Sequence, residues 1–257
     1  MKEERGISAA VLKNTAVISM VIDHITLFLF HDASWYETGR IIGRLAFVIY
    51  AFLTAQGALK TSDRFKYLMR LFLFGVISIV PVSYCDVGKP FDLEMPNVFF
   101  TLSLGLLAVY TWQWIEEQIQ NRFLSYGLRG ASAVLYCWLA TVTNVEYGLM
   151  GVLLILVFHV FRNHKNLMIS AAALTIFFGF AAYVILMRNP QGWLTQLLDL
   201  RYVIRLNRIQ GYGVLALPLI RMYNGKRRKQ LSKMFYYWFY PVHFALLALI
   251  RHFLGMI

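Results

Sequence analysis

The sequence predicts an all-α, polytopic membrane protein, and three observations carry that prediction. Apolar residue types make up 59% of the 257 residues and charged ones only 15%, with a mean hydropathy of +0.57, far from the balance of a soluble domain. The apolar residues form continuous stretches of helical length. A transmembrane β-barrel would instead show segments of about ten residues alternating between two faces, so that architecture is rejected. A hydrocarbon core of about 30 Å is crossed by ~20 helical residues, and scanning for that length gives about nine segments.

Taken in order, the first segment, 10–30, carries Lys13, Asp23 and His24. With no small-residue cleavage motif behind it, it is expected to stay in the mature protein rather than act as a signal peptide. The second, 39–59, combines Arg40, Gly43, Arg44, Phe47, Ala51 and Ala55 in one stripe, charge followed by small residues that let helices approach closely in lipid. The third and fourth span 65–85 and 98–115, the latter headed by Asn97 and Thr101. The fifth, 128–142, and sixth, 147–161, are short, as is the eighth, 209–223, so a re-entrant pair is an alternative there. The seventh spans 167–187. The ninth, 235–254, opens on Tyr236-Tyr237-Trp238-Phe239-Tyr240-Pro241-Val242-His243. No linker or internal repeat divides the chain, which is expected to form a single domain over 1–257. Cys85 and Cys137 lie in different segments without ligand spacing and read as small apolar fillers. No metal site is expected.

Basic residues in short loops set orientation. Lys60, Arg64, Lys66 and Arg70, then Arg162 and Lys165, then Lys226, Arg227, Arg228, Lys229 and Lys233 fall on one side. Asp32 and Glu37, then Asp86, Asp92 and Glu94, fall on the other. The amino terminus is therefore expected in the cytoplasm, with the protein in the plasma membrane. The seventh loop, with Arg188, Arg201, Arg205 and Arg208, breaks the pattern and reads as an amphipathic or re-entrant piece. The net charge of +12 then serves topology and anionic lipid, and no nucleic-acid partner is expected.

Asp23 and His24 are the first candidates for chemistry. An acid at the centre of a bilayer helix costs ~3 kcal/mol on insertion scales and usually faces protein or a wet cavity. Lys13, Met20 and His24 share one helix face and Asp23 lies one position round, so a second helix has to complete the site. Arg44 facing Asp23 is the expected pair, either fixing two helices or serving catalysis. His24 suits a general base, with Asp23 to orient and balance the imidazole. An interfacial aromatic belt accounts for Tyr236, Tyr237 and Trp238 but not for His243. Thr101 and Glu146, the latter beside Tyr147-Gly148, read first as helix caps or hydrogen-bonding glue. His31, His159, His164 and His252 sit at segment ends and read as interfacial.

These residues resemble the TraX-like membrane proteins, and more distantly other multi-spanning acyltransferases. The resemblance rests on Leu12-Lys13 with Met20-Val21-Ile22-Asp23-His24, Ile42-Gly43-Arg44-Leu45-Ala46-Phe47, Ala51-Phe52-Leu53 and Gly57. It continues through Tyr67-Leu68-Met69-Arg70-Leu71, Phe99-Phe100-Thr101-Leu102, Glu146-Tyr147-Gly148 with Gly151, Tyr223-Asn224-Gly225-Lys226 and Phe239-Tyr240-Pro241-Val242-His243. Two positions depart from the pattern: Val48 stands where a proline is expected and Glu146 where an aspartate is. The resemblance implies a membrane-embedded acetyltransferase, because the naming member of the family is associated with acetylating the amino terminus of conjugative pilin. Its Asp-His pair maps to Asp23 and His24, its Gly-Arg to Gly43 and Arg44, and its closing histidine to His243.

The resulting expectation is transfer of an acetyl group from cytoplasmic acetyl-CoA to an amine or hydroxyl, on a pilin-like amino terminus or an envelope component, in a cavity between the first, second and last segments. His24, Asp23 and Arg44 are the catalytic candidates. Arg40, Tyr240, His243, Thr101 and Glu146 are the candidates for holding substrate, with Arg44, Tyr240 or Thr101 as donors to the oxyanion. The Lys226, Arg227, Arg228 and Lys229 cluster could draw either CoA phosphates or lipid headgroups. Two rivals stand beside this reading. One is a proton-coupled transporter, which the lack of an inverted repeat disfavours; the other is a non-catalytic assembly factor.

Overall fold

A computed structural model of the chain describes residues 6–92, 94, 96–188, 191–226 and 231–257. Helices dominate these residues; Ile7 and Tyr223 make an isolated parallel bridge. Helix α1 is Ala9–Leu29 and α2 is Tyr36–Lys60. Helix α3, Arg64–Val87, starts where the Asp63 carboxylate accepts the Lys66 amide at 2.8 Å and stops at Gly88, whose φ of 70° suits a residue without Cβ. Helices α4, Val98–Gln118, and α5, Arg122–Val142, are capped in the same way by Asn97 and Asn121. Helix α6 is Gly148–Val160. Helix α7, Lys165–Leu174, runs through a π-helical turn, Thr175–Gly179, into α8, Phe180–Arg188. Short helices α9, Trp193–Leu198, and α10, Leu200–Leu206, precede a 3₁₀ turn, Gln210–Leu215, and α11, Ala216–Arg221. Helix α12, Lys233–Phe253, is capped by Ser232 and contains Pro241.

The protein is a helical membrane protein. Among the described residues, five helical stretches are long and apolar enough to cross a bilayer: α1, α2, α3, α4 and the composite Lys165–Arg188. Helices α5 and α12 reach 21 residues, whereas α6 has 13. Ile18, Leu73, Val134, Trp138 and Leu246 lie on the outer surface, as suits an exterior bathed in lipid, where every backbone polar group has to be satisfied internally.

The connections gather at two ends. At one, Lys60 Nζ donates to the Tyr223 hydroxyl at 3.0 Å and the Gly225 carbonyl at 3.2 Å, the Ile7 amide donates to the Met222 carbonyl, and Arg64 pairs with Glu117 at 2.8 Å. At the other, Asn144 Nδ2 donates to the Glu94 carbonyl at 2.6 Å and the Glu146 amide to the Pro96 carbonyl at 3.0 Å. The seventh loop, whose charge broke the expected pattern, folds as α9 and α10 at this second end, where Arg208 pairs with Glu37 at 2.5 Å. The eighth segment returns as a broken piece, a 3₁₀ turn followed by α11.

Close helix approach is built from glycine. A Cβ on Gly39 would meet Thr26 Oγ1 at 2.2 Å, and one on Gly43 would meet the Asp23 carboxyl at 2.2 Å. These two glycines lie one turn apart on the face of α2 that receives α1, which is how small residues drive packing where no hydrophobic effect acts between helices. Fully buried Leu12, Ile49, Leu106, Leu154 and Phe158 fill the centre among α1, α2, α4 and α6.

Candidate active site

Adjacent residues on a helix point about 100° apart, and on α1 that rotation separates two clusters. Asp23 turns to α2. Its Oδ2 accepts from Arg44 Nη2 at 2.5 Å, and Arg40 Nη1 lies 2.9 Å from Oδ1. The second contact is an ion pair without hydrogen-bond alignment, since both of its atoms lack a directed partner. Arg44 is further held by Nη1 donating to Gln210 Oε1 at 3.1 Å and Nε donating to the Arg40 carbonyl at 3.2 Å. With its fork spread over a carboxylate, an amide and a carbonyl, Arg44 fixes Asp23 and ties α1 and α2 to the broken eighth segment.

His24 turns instead to α12, where its Nδ1 lies 2.7 Å from His243 Nε2. His243 Nδ1 lies 2.9 Å from the Phe239 carbonyl oxygen. That oxygen can only accept, so His243 carries its proton on Nδ1, and its Nε2 is then the acceptor for the Nδ1–H of His24 in the neutral pair. The network therefore leaves the lone pair of His24 on Nε2. Phe244, with ring centroids 4.5 Å apart, and Phe28, at 6.2 Å, pack against the imidazole.

His24 lies in the lining of a cavity of about 600 Å³, a volume suited to a small-molecule site. Asp23, His24, Gly43, Phe47, Glu146, Tyr147 and Tyr240 line its deep end. Lys13, Lys60, Lys66, Arg70 and Lys233 line the other, at the end of the molecule that holds the start of α1 and the α2–α3 connection. The Glu146 carboxyl and the Tyr240 hydroxyl both meet the backbone amide of Val98, the first residue of α4, one of the donors a helix leaves unpaired at its start. Burial pushes the Glu146 carboxyl, in the α5–α6 connection, up to about 7 against the pull of Arg44, so it exchanges its proton near neutral pH. Thr101 Oγ1 donates to the Glu146 carbonyl, and Tyr147, at a φ of 67°, stacks on Phe47 at 3.7 Å.

The structure thus brings the residues expected from sequence into one region, in two groups. Asp23 sits with Arg40 and Arg44, and His24 sits with His243 beside Tyr240. The partner of the imidazole is His243, while the Asp23 carboxylate faces the arginines. The Thr101 hydroxyl is directed to the backbone of the Glu146 turn. Of the expected basic cluster, Arg227, Arg228 and Lys229 lie outside the described residues. Sequence reasoning missed Gln210, whose only signal is an amide opening an apolar stretch, and Tyr50 and Tyr67, which line the middle of the cavity.

A family model described as TraX protein matches residues 8–251. A probable fimbrial assembly protein FimC, serogroup H1, of Dichelobacter nodosus is 31% identical over 99% of this chain and 100% of its own length. An uncharacterized protein of Rickettsia prowazekii is 25% identical over 60% of this chain and 56% of its own. No solved structure matches.

Proposed function

The chain belongs to the TraX family, and from that premise we propose that it is a membrane-embedded acetyltransferase acting on a pilin-like amino terminus, with acetyl-CoA as donor. The observation that carries the reading is the free Nε2 lone pair of His24 in a cavity whose opposite end is cationic. The fimbrial assembly role in the name of the Dichelobacter relative supports a pilin-like acceptor.

In this mechanism His24 Nε2 takes a proton from the acceptor ammonium or hydroxyl group as general base. The freed lone pair attacks the thioester carbonyl carbon, and the carbonyl π electrons move to oxygen. Tyr240, whose hydroxyl oxygen meets the Val98 amide, keeps its own proton to donate to that oxyanion. Collapse of the tetrahedral centre breaks the C–S bond, and the CoA thiolate leaves with the proton held on His24. When an amine reacts, the second proton goes to water. His243 holds the imidazole in the tautomer that presents Nε2. The Asp23–Arg44–Arg40 cluster keeps α1 and α2 in register beneath it. The cationic end faces the cytoplasm under the positive-inside rule, because Lys60, Arg64, Lys66 and Arg70 cluster there.

The test is CoA release and peptide acetylation in proteoliposomes supplied with acetyl-CoA and a synthetic pilin-like peptide. His24→Ala is expected to lower turnover by about 10²–10⁴-fold while leaving the protein folded. Proton flux driven by a solute without acetyl-CoA would replace the enzyme with a transporter. Full pilus assembly by His24→Ala would replace it with an assembly factor.

A further inference from the structure

We propose that the rim of the cavity is a phosphate clamp for coenzyme A, formed by Lys13, Lys60, Lys66, Arg70 and Lys233, and that the channel below is cut to the length of the pantetheine arm. The inference rests on the acetyltransferase reading and assigns the donor its place within it.

Charge is the first support. The five cations come from the start of α1, the end of α2, the first turns of α3 and the first residue of α12, so basic side chains from four helix ends converge on one opening. Asp63 is the acid at that end among the described lining residues, 3.9 Å from Lys66. Tyrosine rings position three of the cations: Lys13 Nζ lies 5.0 Å from the Tyr236 ring, Lys60 Nζ 5.3 Å from Tyr223, and the Arg70 guanidinium 5.9 Å from Tyr237. A ring contact positions a cation without supplying a counter-charge, so Lys60 and Arg70 keep the opening attractive to a polyanion.

Length is the second. Lys13 and His24 stand eleven residues apart on α1, and Lys233 and His243 ten apart on α12, or ~15 Å along either helix at 1.5 Å per residue. In an acyl-CoA, thirteen bonds separate the thioester sulfur from the nearest phosphorus. An extended chain advances ~1.2 Å per bond, giving ~15 Å. Phosphates held at the rim therefore set the thioester beside the imidazole. Tyr50, Thr54 and Tyr67 line the stretch between and offer hydroxyls to the two amides of the arm. A lipid headgroup could supply a phosphate to the rim but nothing that follows the channel, and an acyl phosphate is too short to span both.

The experiment is titration calorimetry of the full chain in phosphatidylcholine nanodiscs with acetyl-CoA, its 3′-dephospho analogue and S-acetylpantetheine, which has no phosphate. Acetyl-CoA is expected to bind at least about tenfold more tightly than S-acetylpantetheine, as charge-assisted contacts require. The dephospho analogue is expected to fall between them. The double variant Lys66→Gln/Lys233→Gln, at two exposed positions, should erase most of that difference and leave S-acetylpantetheine binding unchanged. Equal affinities, or a variant that binds acetyl-CoA as wild type does, overturn the clamp while leaving the enzyme reading standing. Loss of acetyl-CoA binding in phosphatidylglycerol nanodiscs, with S-acetylpantetheine unaffected, would make the rim a lipid site. Failure of all three thioesters to bind overturns the enzyme reading and the clamp with it.

Discussion

A carboxylate within the hydrocarbon thickness has to find its counter-charge inside the protein. Asp23 finds two guanidiniums, and Arg44 finds an acid, an amide and a carbonyl. Removing one partner leaves a buried charge or an unfilled acceptor, so Arg44→Ala is expected to destabilise by about 3–5 kcal/mol. The double variant Asp23→Asn/Arg44→Gln should cost less than the sum of its singles. Denaturation of all three variants in mixed micelles measures the coupling, and strict additivity would deny it. The identities of these residues were legible in the sequence because ionisable side chains in apolar segments stand out. Their pairing was only half legible. Asp23 and Arg44 could be matched by charge, but the partner of His24 comes from a helix 219 residues away, and no local pattern tells which neighbour each of two adjacent positions will face.

Helices are the level at which the sequence was most informative, since long apolar runs have one stable form in lipid. The first four segments and the last coincide with α1, α2, α3, α4 and α12 to within three residues at each boundary. Helix α5 begins six residues before its apolar run, at Arg122 behind an Asn121 cap, because a polar first turn is stabilised by capping rather than by hydrophobicity. The eighth segment was the least legible. Its 3₁₀ geometry depends on Gly211 and Gly213 fitting against Phe177 and Val48, contacts that only the packed bundle supplies. Where helices touch through glycine, volume decides stability. Gly43→Ala should push α1 from α2 and dislodge the Asp23 carboxylate, costing about 1–3 kcal/mol, with loss of activity alongside. Gly130→Ala, where no heavy atom lies within 4 Å of the added carbon, is the control. Equal melting temperatures for the two variants would refute the close-contact argument.

For the whole molecule, the alternation of basic and acidic connections predicts which surface faces which compartment. Arg162→Cys should react with a membrane-impermeant thiol reagent only when the cytoplasmic face is open, and Asp32→Cys only from outside. The reverse pattern would invert the protein and place the cationic rim of the cavity in the wrong compartment for a cytoplasmic donor. The broken return between α10 and α12 adds a constraint of another kind. A 3₁₀ turn of six residues and a helix of six cannot satisfy their own backbone in hydrocarbon, and their anchors, Arg44 to Gln210 and the Phe177 carbonyl to Asn207, lie on elements made earlier. The π-helical turn at Thr175–Gly179 contributes one of those anchors. During synthesis this piece of chain can settle only after α2 and α7–α8 have been released into the bilayer and have met. Biogenesis therefore follows a fixed order, in which the segment bearing Gln210 enters last but one and completes the Arg44 clamp before α12 brings His243 to His24.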